Sequence, residues 1–307
     1  GRTVVDFGQN MAGRVEITVQ GTAGQAAELR CFEELDADGN PYLANLRKAR
    51  TTMQYTFARS QTVTWQPQFT YMGFRYALVV QWPGKPEPAN FTACVLHSAM
   101  QPAGEFTCSE PLVNQLNHNI LWGLKSNFLD VPTDCPQRDE RMGWTGDAQI
   151  FFNTAAYLFD YASFAQKYMR DVYDWQKKDG KLPQIAPYGG VDFYMSFMDG
   201  SVGWADAGVL IPYRFWKLYG DDSLIRRHYG GMVRYARFMI KRCTQFTPLR
   251  HHLPLKGEAK KYIVNYGHSY GEWAEPADVF PDDWKNIVLP HPEESTPYTV
   301  FIMEHMM

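Results

Sequence analysis

The sequence predicts an antiparallel β-sandwich followed by a helical domain, and three observations predict it. Over the first hundred residues apolar side chains recur every second position; from Ser109 onward they recur at helical spacing; the joint, Ser98 to Gly104, has neither period. The expected domains are therefore 1–100 and 101–307. With 307 residues, 45% of them hydrophobic, the chain can build both cores without disulfide or metal staples.

The strands come first. Val15, Ile17 and Val19 alternate with Glu16, Thr18 and Gln20, as expected of a sheet with one buried face. The pattern returns in Glu28 to Phe32, Met53 to Phe57, Tyr76 to Trp82 and Phe91 to His97, separated by the turn segments DADGNP and WPGKPEP. Asp36, Asp38 and Asn40 match the first ligands of a calcium loop. Pro41 and Arg47 stand where that loop needs Gly and Glu, so a hairpin turn is expected instead.

The helices follow. Leu112, Val113, Leu116, Ile120, Leu121 and Leu124 form one stripe after a Ser109 cap and Pro111, and predict a helix with that stripe buried. Further helices are expected from Asp147 to Phe159, Tyr161 to Lys178, Trp204 to Tyr219 and Ser223 to Cys243, with last turns near Thr296, about six in all. Between Arg242 and Thr296 lies a Pro-rich stretch without period, a long loop of the kind that carries function or is simply solvated.

Composition narrows the function. Thirty Lys and Arg against 33 Asp and Glu leave a net charge of −3, without the basic excess that nucleic-acid binding needs. No apolar run is long enough for a membrane span, and the first residues do not read as a signal peptide. Five cysteines without a C-x-x-C pair suit a reducing compartment, though the compartment stays open. The 46 aromatic residues, 9 Trp, 18 Tyr and 19 Phe, suit core packing for the most part and a sugar pocket for some.

The segment from Asp130 to Asp147, DVPTDCPQRDERMGWTGD, carries the chemistry. It gathers Asp134, Asp139, Glu140 and Asp147 with Arg138, Arg141 and Trp144 on a backbone interrupted by two Pro and two Gly. Asp134 and Asp147 could also be helix caps, and the arginines ordinary ion-pair partners. Crowded carboxylates raise each other's pKa, and one kept protonated near neutrality can act as a general acid in glycosidic cleavage. A divalent cation would compete for the same oxygens, but the two arginines beside them oppose it, so no metal and no cofactor is expected.

The segment resembles the signature of the α-L-rhamnosidases of glycoside hydrolase family 78, and the likeness extends along the chain. VDFGQNMAGRVEI, FTYMGFRY and VLHSAM are similar to that family's sandwich domain; FTCSEPLVNQLNHNILWGLKSNF, GWADAGVLIPY and YGEWAEP are similar to its (α/α)6-barrel catalytic domain. The resemblance implies that Glu140 is the general acid and that Asp134, Arg138, Trp144 and Asp147 hold a terminal rhamnose. It adds Trp204, Asp206 and Trp273 as further walls and a hydrogen-bond partner, and a rhamnose-containing glycoside as the substrate. A 6-deoxy sugar suits such a mix of aromatic and charged groups.

Two departures from the family stand out. The chain has Tyr-Gly-Glu-Trp at 270–273 where the family has Tyr-Gly-Asp-Trp, and it lacks the downstream Trp-Glu-x-Trp-Asp segment whose Glu activates water. The expectation is an incomplete (α/α)6 barrel carrying the acid of an inverting enzyme, with the base beyond residue 307. Rival readings are a non-catalytic carbohydrate-binding fragment, another helical-toroid enzyme acting on uronates, which the acidic residues here would repel, and a structural partner-binding protein.

Overall fold

The computed structural model describes residues 2–190, 196–244, 257–270 and 291–307. They pack as two compact units, one of residues 1–99 and 105–142 and one of 100–104 and 143–307. The units thus divide after Met142, which puts the first helix and most of the acidic segment with the sheet rather than with the other helices.

The first unit is built on β1 (Thr3–Gly21), β2 (Ala26–Phe32), β5 (Thr52–Thr56), β6 (Gln61–Trp65), β7 (Met72–Gln81) and β8 (Phe91–Val95). Their order is β5-β2-β7-β1-β6, with β8 also on β1, and every ladder is antiparallel. The 19-residue β1 joins the two parts of this sheet. Its first half pairs with β7 and its second half with β8 and β6. The register shifts between Asp6 and Met11, where Gly8 takes φ 76°, a bulge that bends the strand. One core results, in sandwich fashion: Val15, Ile17, Leu29, Met53, Phe74 and Phe91 are buried together, and Tyr55 of β5 meets Trp65 of β6 at 5.4 Å.

DADGNP is the expected hairpin turn, between β3 (Glu34–Leu35) and β4 (Pro41–Tyr42). Asp36 Oδ1 accepts from the amides of Asp38 and Asn40. Strand β6 was not anticipated, although its Thr-Val-Thr alternation was there to read.

Helix α1 (Pro111–Asn127) has Pro at its start as expected, but Glu110, not Ser109, caps it by accepting from the Leu112 amide. Of its apolar stripe only Leu124 is buried, while Leu112 is 78% exposed and Leu116 57% exposed. The predicted burial fails because helical spacing shows that a stripe exists, not what covers it. In this unit only the last turns reach the sheet core, through Trp122.

The second unit holds α2 (Thr145–Leu158), α3 (Ala162–Asp174), α4 (Ala207–Tyr219), α5 (Ser223–Thr244) and α6 (Pro292–Met306). Among the described residues the chain therefore has six α-helices. Helix α4 lies at the centre and packs against α2, α3, α5 and α6. Its run from Ala207 to Pro212 is buried throughout, as a helix enclosed by others requires. Among the described residues no helix is long and apolar enough to cross a membrane. Much of the stretch between Arg242 and Thr296 lies outside the described residues.

Candidate active site

In the first unit, the acidic segment is closed by its own backbone and tied to the sheet at Tyr71 and Gly73. The short strands β9 (Phe128–Leu129) and β10 (Val131–Pro132) pair across Asp130, which takes φ 68°. Thr133 then donates through both its amide and its hydroxyl to Asn127 O, each at 2.8 Å. The loop closes where Asp134 and Met142 exchange hydrogen bonds, amide to carbonyl at 3.2 Å and amide to Oδ1 at 3.1 Å. Arg141 donates to Tyr71 O at 2.7 Å, and Gly73 of β7 leaves no room for a side chain, since a Cβ there would meet the Gln137 backbone at 2.8 Å.

Held this way, Asp134, Cys135, Arg138 and Glu140 converge. Arg138 donates to Glu140 Oε2 through Nε at 3.1 Å and Nη2 at 2.9 Å. Arg47, from the turn after Ala44–Leu46, reaches Glu140 Oε1 at 2.7 Å and lies 3.5 Å from Asp139. The Cys135 thiol sits 2.7 Å from Asp134 Oδ2 and 3.2 Å from Glu140 Oε2, with Arg138 Nε 3.0 Å from its sulfur.

The two carboxyls of this cluster titrate in opposite directions. Burial and the hydrogen bond with Glu140 push Asp134 up to about 6. The hydrogen bond from Asp134, together with Arg47, Cys135 and Arg138, holds Glu140 down to about 2. Between those two values the pair carries one proton. We place it on Asp134, whose side chain is 10% exposed and whose nearest guanidinium nitrogen, on Arg138, is 3.8 Å away. This departs from the expectation that Glu140 is the carboxyl kept neutral, and the reason is that Asp134 donates to it while two guanidinium groups touch it directly.

Burial and the two carboxylates push the Cys135 thiol upward, so it stays protonated. Asp134, Cys135 and Glu140 offer ligand atoms within 4.8 Å of one another, a spacing that could hold a metal ion. The two guanidinium groups already in contact with Glu140 oppose a cation there.

In the second unit, Trp144 occupies the N-cap of α2 and pairs with Ile185. Thr145 fixes this helix start by donating to Gln184 O through its amide at 2.9 Å and its hydroxyl at 3.0 Å. Asp147 is exposed in the first turn of α2, where a carboxylate suits the helix dipole. Trp204 lies against Gly146, whose missing side chain makes room for the indole, and its ring is 4.0 Å from that of Tyr270. Tyr270 donates to Gln184 Oε1 in turn. These contacts gather Trp204 and Tyr270 near the start of α2.

Asp206 does not line a site. It is fully buried, accepting from Tyr235 Oη at 2.7 Å and from the Gly203 amide at 2.5 Å, and burial raises its pKa to about 6. It holds the turn that presents Trp204, which corrects the expectation that it touches sugar. Trp273 and Glu272 lie outside the described residues.

Sequence reasoning missed Arg47, Cys135 and Gln184. Cys135 sits inside the motif and could have been weighed. Nothing in the sequence near Arg47 or Gln184 signals their partners, since both act across long separations.

Two family models match the chain: the bacterial α-L-rhamnosidase concanavalin-like domain over residues 1–97 and the bacterial α-L-rhamnosidase 6 hairpin glycosidase domain over residues 101–288. An α-L-rhamnosidase of Streptomyces avermitilis is 37% identical over 280 residues, covering 91% of this chain and 25% of the relative. One from Formosa agariphila is 33% identical over 285 residues, covering 92% of this chain and 28% of the relative. Among solved structures, the S. avermitilis α-L-rhamnosidase complexed with L-rhamnose superposes with a TM-score of 0.82 at 35% identity, over all of this chain and 27% of that one. The α-L-rhamnosidase from Dictyoglumus thermophilum gives 0.83 at 34% identity, over all of this chain and 32% of that one. The chain thus spans a quarter to a third of the length of these relatives. By these matches the chain belongs to the α-L-rhamnosidase family of glycoside hydrolases.

Proposed function

We propose that the chain supplies the acid half of an enzyme that removes terminal α-L-rhamnose from rhamnosides with inversion, residues 1–100 forming the accessory sandwich and 101–307 part of the catalytic domain. Glu140 is the general acid in this reading. Asp134, Arg138, Trp144, Asp147, Trp204 and Trp273 hold the sugar, and a rhamnose-containing oligosaccharide or glycoside is the partner.

The observation that carries the reading is the convergence of Asp134 and Glu140, with carboxyl oxygens within 4.8 Å of one another, beside the Arg138 guanidinium fork. In such a pair one carboxyl holds its proton to higher pH than a lone exposed carboxylate does. Arg138 suits the neighbouring sugar hydroxyls, because its donors are fixed in a plane and stay charged. For Glu140 to donate, the pair's proton passes from Asp134 as the guanidinium contacts loosen around a departing sugar oxygen. The alternative, a fragment that binds carbohydrate without cleaving it, keeps the same residues and omits this transfer.

An inverting enzyme also needs a base, set roughly 6.5 to 9.5 Å from the acid to admit water. None of Glu272, Glu275, Glu293 or Glu294 sits in a sequence context that assigns it that role. The chain alone is therefore expected to hydrolyse an aryl α-L-rhamnoside poorly or not at all, whereas a longer protein containing it turns the substrate over. NMR of the first-formed sugar anomer in that longer protein reads the stereochemistry. Brisk turnover by the chain alone, abolished in Glu140→Gln, would contradict the missing base; full activity of Glu140→Gln in the longer protein would remove Glu140 from the mechanism.

A further inference from the structure

We infer that Arg47, carried by the sheet region and remote from the acidic segment in sequence, is a positioning residue that fixes the Glu140 carboxylate and governs how readily it takes up a proton. This rests on the reading of Glu140 as the acid.

Glu140 is bracketed. Arg138 holds Oε2 and Arg47 holds Oε1, the latter at 2.7 Å. Arg138 belongs to the same loop as Glu140, whereas Arg47 holds the carboxylate from outside that loop, on a turn that is itself anchored. Leu46 beside it is buried, Asn45 Nδ2 donates to Glu33 Oε2 at 3.0 Å, and Asn10 Nδ2 of β1 donates to Glu33 Oε1 at 3.0 Å. The Arg47 amide closes the turn on Ala44 O at 3.2 Å.

The backbone at Arg47 supports a role beyond surface charge. Its φ is 51°, in the left-handed region that disfavours a residue with a side chain, a strain that a fold retains where geometry matters. The conformation aims the guanidinium at Glu140, with Asp139 at 3.5 Å as its second partner. Among the described residues, the titratable and charged groups in contact with Glu140 are Arg47, Arg138, Asp134 and Cys135. Of these, Arg47 is the cation contributed from outside the acidic loop.

The consequence has a sign. A cation beside a carboxylate favours its charged form, so removing it raises the pH at which the carboxyl protonates. The test is carboxyl-carbon NMR titration of this chain, labelled at Glu, with the Glu140 signal assigned by its loss in Glu140→Gln. In Arg47→Gln the Glu140 midpoint should rise by about 1 unit, the low end expected for a contact ion pair. Arg47→Lys, which keeps the charge on a shorter reach, should restore most of the shift. An unchanged midpoint in a folded Arg47→Gln, or equal shifts in the Gln and Lys variants, overturns the inference.

The activity arm separates it from the underlying reading. In a longer α-L-rhamnosidase containing this chain, Arg47→Gln should move the alkaline limb of kcat to higher pH. A purely structural role lowers kcat and leaves that limb in place. If the titration shifts as stated while Glu140→Gln retains full activity, Arg47 still controls the carboxyl and the acid assignment is what falls.

Discussion

Asp134 shows at the residue scale how neighbours divide chemistry between two carboxyls. Within Asp-Cys-Pro-Gln-Arg-Asp-Glu both acidic groups look alike, and only their contacts separate them. Asp134 is the more enclosed and Glu140 the one touched by two arginines. The sign for stability follows from Asp134. Its folded pKa, about 6, lies above the usual 3.8, so its contribution is complete below about pH 4 and is lost as pH rises through 6. Glu140 has the opposite sign, its contribution present above the usual 4.5 and lost as pH falls through about 2. Asp134→Asn should therefore abolish a carboxyl titration step near pH 6, and its melting temperature should gain on the wild type between pH 4 and 7. An unaltered step in the variant would show that another group owns it. The motif announced that these carboxyls matter. The division of labour between them was hidden, because Arg47 comes from a different part of the chain.

Glycines and one buried arginine decide the geometry among elements. Gly146 in the first turn of α2 is where Trp204 rests, and a Cβ there would lie 2.9 Å from three of its ring atoms. Gly146→Ala should displace the indole and cost roughly 1–3 kcal/mol, as overpacking does, with a matching change in Trp fluorescence; a variant of unaltered stability and spectrum would refute the contact. Gly143 is stricter, since a Cβ would meet the Ala186 carbonyl oxygen at 2.1 Å and backbone cannot swing aside as a side chain can. Arg242, near the end of α5, is 1% exposed and donates to three carbonyls, those of Tyr266 at 2.6 Å, Gly200 at 2.9 Å and His268 at 3.0 Å. It ties the segment before Tyr270 to the turn before Trp204. Arg242→Met leaves those carbonyls without a donor and should destabilise the chain by about 3 kcal/mol or more, read as a lower denaturant midpoint. Helical spacing located these elements to within a few residues, yet it said nothing of Arg242, whose partners lie on loops without a period. It also misjudged α1, whose stripe was visible and whose covering was not.

Across the whole molecule, buried ionisable groups of opposite sign balance one another in acid. Burial holds His268 down to about 3 and His228 down to about 4. Their contribution is present above the usual 6.5 and is lost as pH falls through those values. Asp206 runs the other way, its contribution complete below the usual 3.8 and lost as pH rises through about 6. Asp134 adds to Asp206 on that side, so two carboxyls oppose two histidines and between pH 4 and 6 the wild type should change little in melting temperature. Asp206→Asn removes one of the two carboxyls, so its melting temperature relative to the wild type should climb across that window; a constant difference would mean that Asp206 does not titrate there.

The order of strands then helices, the turn at DADGNP, the start of α1 and the acidic segment were determined by the sequence itself, because period and turn chemistry act over a few residues. The bend of β1, the exposure of α1, the enclosure of Asp206 and the arrival of Arg47 at Glu140 were decided only by tertiary structure. Each depends on which distant segment is packed alongside, and no local pattern records that.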